Sequence, residues 1–167
     1  MRTALNAPPN TLDEDEQSFV AKIREHGWFR TGVLGDDDGP GFSFTTGLFV
    51  NTGQPELLIF SMKDRIAHDV FWDLYRDAKD GRSLPVGRRT EAVFGNAPAY
   101  AFRIAKEHYR DLLGWSRWFY GGDVFPCLQI VWPDREGRFP WEEDFADEFA
   151  GLQKDMTESG WKNELAD

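Results

Sequence analysis

The chain has 167 residues, enough for one domain to bury most of its apolar surface without disulfides or metals. Its hydrophobic share of 41% with 15% aromatic residues excludes a disordered chain. The formal net charge of −10 argues against nucleic acid as a partner, because phosphate backbones need a basic stripe.

Residues 1–10 read as a flexible leader, with two prolines and no apolar run that would make a signal peptide or anchor. Thr11 and Glu14 have the spacing of a capping box and predict a helix from there to Gly27. Alternation predicts strands over residues 28–34 and 42–49, separated by a loop rich in Asp and Gly. The apolar run 56–62 predicts a buried strand, and the three together an antiparallel meander. Asp64 opens the strongest helical pattern, carried by Ile66, Ala67, Val70, Phe71, Leu74, Tyr75 and Ala78 and ended by Gly81. Strands are expected near 99–104 and 124–132, with another around 91–94. A short helix is expected over 107–113 and an acidic one near 145–154. This order gives a single α+β domain over residues 11–154, with a mainly antiparallel sheet, able to curl into a barrel, flanked by helices. Residues 155–167 read as an acidic C-terminal tail.

Charge is unevenly placed. Residues 142–167 hold nine acids against two lysines, while residues 82–141 hold nine bases against six acids. The single cysteine, Cys127, fits a reducing cytoplasm and reads as a buried, inert thiol. No stretch approaches the roughly 18 apolar residues of a membrane span. The histidines His26, His68 and His108 fall on separate elements without metal-ligand spacing, so no metal is expected.

Residues 114–141 hold eight of the 25 aromatics in 28 positions. Buried large side chains contribute roughly 1.5–3 kcal/mol each, so packing alone accounts for them. Their polar exceptions, Arg117, Asp123 and Gln129, together with Trp118 and Tyr120, are candidate contacts for a small molecule. Thr45 and Thr46 at a strand end, with Arg88 and Arg89 in a loop, form a second candidate, since guanidinium forks match phosphate oxygens. No nucleophile–base pairing specifies a reaction.

Several blocks carry a family resemblance. His26-Gly27-Trp28, the stretch from Phe44 to Leu48, Gln54-Pro55-Glu56-Leu57, and above all residues 118–123, 129–134 and 137–141 resemble the bacterial domain-of-unknown-function family 4262. Gln54 stands where that family's pattern has histidine, so no histidine role carries over there. The resemblance implies one domain and assigns no catalytic residues. Residues 41–78 are also similar to the start of flavin-reductase-like split barrels, which implies a flavin held by strand-end hydroxyls and amides. Three expectations follow. The first is a cytoplasmic domain binding a small molecule or protein at an aromatic and arginine-rich surface. The second is a split-barrel oxidoreductase using flavin or haem. The third is an acidic inhibitor or immunity-type protein that holds a basic partner. A spectrum of the purified protein separates the second from the others.

Overall fold

The structure, a computed structural model, describes residues 1–166. Helix α1 (Glu14–His26) starts after Asp13, two residues beyond the expected cap. Pro8 and Pro9 hold Thr11 in a short 3-10 turn, where its hydroxyl donates to the Pro8 carbonyl at 2.6 Å. The reciprocal capping pair is therefore Asp13 with Glu16, at 2.8 and 2.9 Å. Gly27 ends the helix in the left-handed conformation, as expected.

Strand β1 (Phe29–Val33) pairs antiparallel with β2 (Phe42–Thr46), placing Arg30 opposite Thr45. The second strand stops three residues before its expected end because Gly47, at φ 114°, turns the chain into helix α2 (Leu48–Thr52). A Cβ at position 47 would lie 2.7 Å from the Gly27 carbonyl oxygen and 2.9 Å from the Trp28 Cα, so no side chain fits. Strand β3 (Glu56–Phe60) completes the antiparallel meander, and all five of its residues are buried.

Helix α3 (Asp64–Lys79) follows the predicted periodicity. Beyond it, residues 80–99 hold no regular element; the strand expected at 91–94 reduces to one bridge between Thr90 and Ala99. Strand β4 (Tyr100–Arg103), helices α4 (Tyr109–Leu112) and α5 (Gly114–Tyr120), and strand β5 (Cys127–Val131) come next. The acidic helix expected over 145–154 does not form. Only a 3-10 turn at Asp147–Phe149 is present, because Gly151 takes φ 81° and the Ala146 N–H bonds the Asp134 carboxylate at 3.0 Å. A last short helix, α6 (Trp161–Glu164), closes the described chain.

The strands run in the order β1-β2-β3-β5-β4. Three neighbouring pairs are antiparallel; β3 and β5 are parallel, with Glu56 opposite Cys127, because the chain crosses through α3 between them. The fold is thus a single α+β domain with a mostly antiparallel sheet. Strands β1 and β4 remain open edges, so the sheet, able in principle to curl into a barrel, stays open and gives the split-barrel resemblance no support.

Side-chain alternation loads both sheet faces. Leu57, Ile59, Leu128 and Ile130 meet Phe71 and Leu74 of α3. Phe44, Leu58, Phe60 and Cys127 meet Phe19 of α1 and Phe119 and Tyr120 of α5. A third cluster joins Phe102, Val131, Phe139 and Trp161, with Tyr100 and Trp141 beside it. Most of the aromatic segment is therefore packing. The chain beyond residue 151 laces across the sheet: Gln153 exchanges two 3.0 Å hydrogen bonds with the Trp132 backbone, and the Ala105 N–H donates to Met156 at 2.8 Å. No helix among the described residues is long and apolar enough to cross a membrane.

Candidate functional site

Two residues singled out from sequence, Thr45 and Tyr120, converge on a residue that was not: Glu56, whose exposure is 0%. Its carboxylate accepts hydrogen bonds from the Thr45 hydroxyl at 2.7 Å and from the backbone N–H groups of Gly47, Leu48 and Phe49 at 3.0 to 3.2 Å. The Tyr120 hydroxyl donates to the same carboxylate and accepts from the Val50 N–H at 3.2 Å. The N–H groups open α2, so Glu56 acts as the cap that this short helix lacks in its own sequence. Burial raises the Glu56 carboxyl above its ordinary value, against the pull of the Tyr120, Thr45, Phe49 and Gly47 donors. The Tyr120 phenol is pushed up in turn, first by burial and then by the Glu56 charge beside it.

Thr46 bonds the Ser116 hydroxyl at 2.6 Å, and Ser116 donates to the Thr45 carbonyl at 3.1 Å, tying α5 to β2. The other candidates disperse. Arg117 donates to Asp123 at 2.6 Å, a half-exposed pair that closes the turn after α5. Trp118 lies half-buried against Phe19 and Trp115. Gln129 is buried, its amide donating to the Lys154 carbonyl at 2.7 Å. Arg88 and Arg89 are exposed on the 80–99 loop, Arg89 beside Glu91 at 3.7 Å. The sequence candidates therefore form one buried network, one surface ion pair and several separate positions.

An aromatic and basic surface does exist, between α1 and α3. Two adjoining grooves of about 680 and 720 Å³ share His26 and Trp72. Lys22 and His26 of α1, Trp28, Arg30 of β1, and His68 and Trp72 of α3 line the first. Arg24, Arg76 and Lys79 line the second, beside Tyr75. The rings form a continuous wall. Trp28 lies 5.2 Å from His68 and 5.9 Å from Trp72, and Trp72 lies 6.0 Å from Tyr75. Arg76 sits over Trp72 at 4.8 Å and Lys79 over Tyr75 at 5.6 Å. The Trp28 indole N–H is buried without a hydrogen-bond partner among the described residues.

Five lysines and arginines line the two grooves against two acids, Glu25 and Asp69, in a chain of net charge −10. Some are partly engaged: Arg30 bonds Ser43 at 3.0 Å and Asp64 at 3.3 Å, Arg76 bonds Asp73 at 3.2 Å, and Arg24 bonds the Leu5 carbonyl at 2.6 Å. Lys22 and Lys79 form no ion pair among the described residues. Chemically, such a cleft can stack a flat ring and neutralise an anion. The sequence signal was present as helical spacing: His68, Trp72, Tyr75 and Lys79 recur every three or four residues, as do Lys22 and His26. His26 and His68 do come to one cleft, while His108 lies elsewhere, beside Glu107.

No curated protein and no solved structure matches the chain. Comparison with protein families matches residues 22–146, a span that contains the Glu56 network and most of the cleft. The chain belongs to that family, Domain of unknown function (DUF4262).

Proposed function

We propose that this domain binds a small planar anion in the cleft between α1 and α3. One observation carries the reading: a wall of aromatic rings and a surplus of cations meet in one cleft of an otherwise acidic chain. A flat ring would lie along Trp72 and His68, over the buried Trp28, and its carboxylate or phosphate would reach Lys22 or the Arg76 and Lys79 pair. Stacking supplies affinity beyond area burial, and the cations supply orientation and a salt-dependent rate of encounter.

Calorimetric titration with an aromatic carboxylate, a nucleoside monophosphate and the uncharged nucleoside tests this directly. The anions should bind, with weaker affinity at high salt, and the uncharged nucleoside should bind at least about tenfold more weakly. Trp72→Ala, and Arg76→Ala combined with Lys79→Ala, should each weaken the anions by about tenfold or more. Retained affinity in both variants, or equal binding of the neutral compound, would remove the cleft as the site.

A further inference from the structure

A second cavity, of about 250 Å³, lies under the irregular 80–99 loop and shares no lining residue with the cleft. Its walls are apolar. Leu57 and Leu128 of the parallel strand pair form the floor, Leu74 and Ala78 of α3 one side, and Leu84 of the loop the cover. Ala92 and Gln54 stand at its margin. Twenty residues without a regular element are unusual in a compact domain, and such loops commonly serve as covers or binding loops.

The charge at the rim decides what the cavity can take. Arg82 is held by Asp77 at 2.8 Å and by Asp80 at 3.3 Å, so its cation is already matched by two carboxylates. An anionic ligand would meet a surplus of negative charge there. The Gln54 side-chain amide, by contrast, has no hydrogen-bond partner among the described residues, although its backbone N–H bonds Thr52. The rim thus offers one neutral donor and acceptor to a ligand that is otherwise in contact with leucine and alanine.

Size sets the rest. An apolar cavity of roughly 150 Å³ admits a single benzene ring, so this larger one accommodates one to two fused rings. We propose that the cavity beneath the 80–99 loop is a binding site for a small, uncharged, one- or two-ring molecule carrying a single polar group that bonds Gln54. This site is independent of the anion cleft, and the two take ligands of opposite polarity.

The test uses 2-naphthol, its anionic counterpart 2-naphthoate, and calorimetry on the full chain with backbone amide spectra to locate binding. Naphthol should bind saturably and shift the amides of Leu57, Leu84 and Leu128, and naphthoate should leave them unmoved. Ala92→Phe, at an exposed loop position, should fill the mouth and weaken naphthol by about tenfold or more. Gln54→Leu, which keeps the apolar walls, should weaken naphthol but leave naphthalene unaffected. Trp72→Ala should change none of these, whereas it should weaken anion binding in the cleft by about tenfold or more. Absence of naphthol binding, equal shifts with naphthoate, or full affinity in both Ala92→Phe and Gln54→Leu would each overturn the proposal.

Discussion

Replacing Tyr120 with Phe separates a structural hydroxyl from a ligand contact. The ring is only 3% exposed and packs against Phe125 at 4.7 Å and Phe119 at 4.9 Å, contacts that phenylalanine keeps. What disappears is one donor to the buried Glu56 carboxylate and the acceptor of the Val50 N–H. A hydrogen bond to a carboxylate contributes about 1.5–3 kcal/mol, and a stranded, half-buried N–H costs up to about 1 kcal/mol more, so the loss should be about 1.5–4 kcal/mol. For a chain of this size that lowers the Tm by roughly 5–15 °C. Tyr109→Phe is the internal control. Its hydroxyl donates to the neutral Phe125 carbonyl at 2.9 Å, and its removal should cost only about 1 kcal/mol. Urea titration followed by tryptophan fluorescence measures both. A Tyr120→Phe loss below about 0.5 kcal/mol, or one no greater than that of Tyr109→Phe, would refute the reading of the Tyr120–Glu56 hydrogen bond as an anchor of α2.

Other substitutions address the remaining contacts. Because burial raises the Glu56 carboxyl, its contribution to stability is fully present below the ordinary carboxylate value. It is lost as the pH rises through the raised one, by up to about 1.4 kcal/mol per pH unit. The stability of the parent protein minus that of Glu56→Gln should therefore fall with pH over that window, and a rising difference would contradict the assignment. Gln129→Leu removes the amide that holds Lys154 and Met156, and should cost about 1–3 kcal/mol while speeding hydrogen exchange at Met156. Gly47→Ala forces a side chain into the Gly27 carbonyl at a left-handed position, and should cost more than about 2 kcal/mol in a denaturant titration. Arg117→Ala breaks a half-exposed ion pair and should change stability by less than about 1 kcal/mol, which thermal melts can check.

Local physics was legible in the sequence where one segment determines its own conformation. The α3 periodicity, the buried run of β3 and the stop at Gly27 are of this kind. Misreadings arose where distant residues decide the outcome. Position 47 looks like mid-strand until Gly27 and Trp28 are placed beside it, and the acidic stretch after residue 144 looks helical until the Asp134 carboxylate takes the Ala146 N–H. Glu56 gave no local sign of its role, because its donors come from positions 45 to 49 and from Tyr120, 64 residues away. The cleft was hidden for the same reason. Its cations and rings were each visible, but assigned to separate helices whose packing brings them onto one surface.

The parallel pairing of β3 with β5 bears on how the chain is born. During synthesis, the first three strands emerge with β3 apolar on both faces and its far edge unpaired until Cys127–Val131 leaves the ribosome. An antiparallel meander alone cannot cover that strand, so the nascent chain passes through a stage of exposed Leu57, Leu58, Ile59 and Phe60. Helix α3, completed well before β5, can shield one face during the wait. Truncation before residue 127 should consequently yield aggregation instead of a smaller folded unit, and the final strand acts as the commitment step of folding.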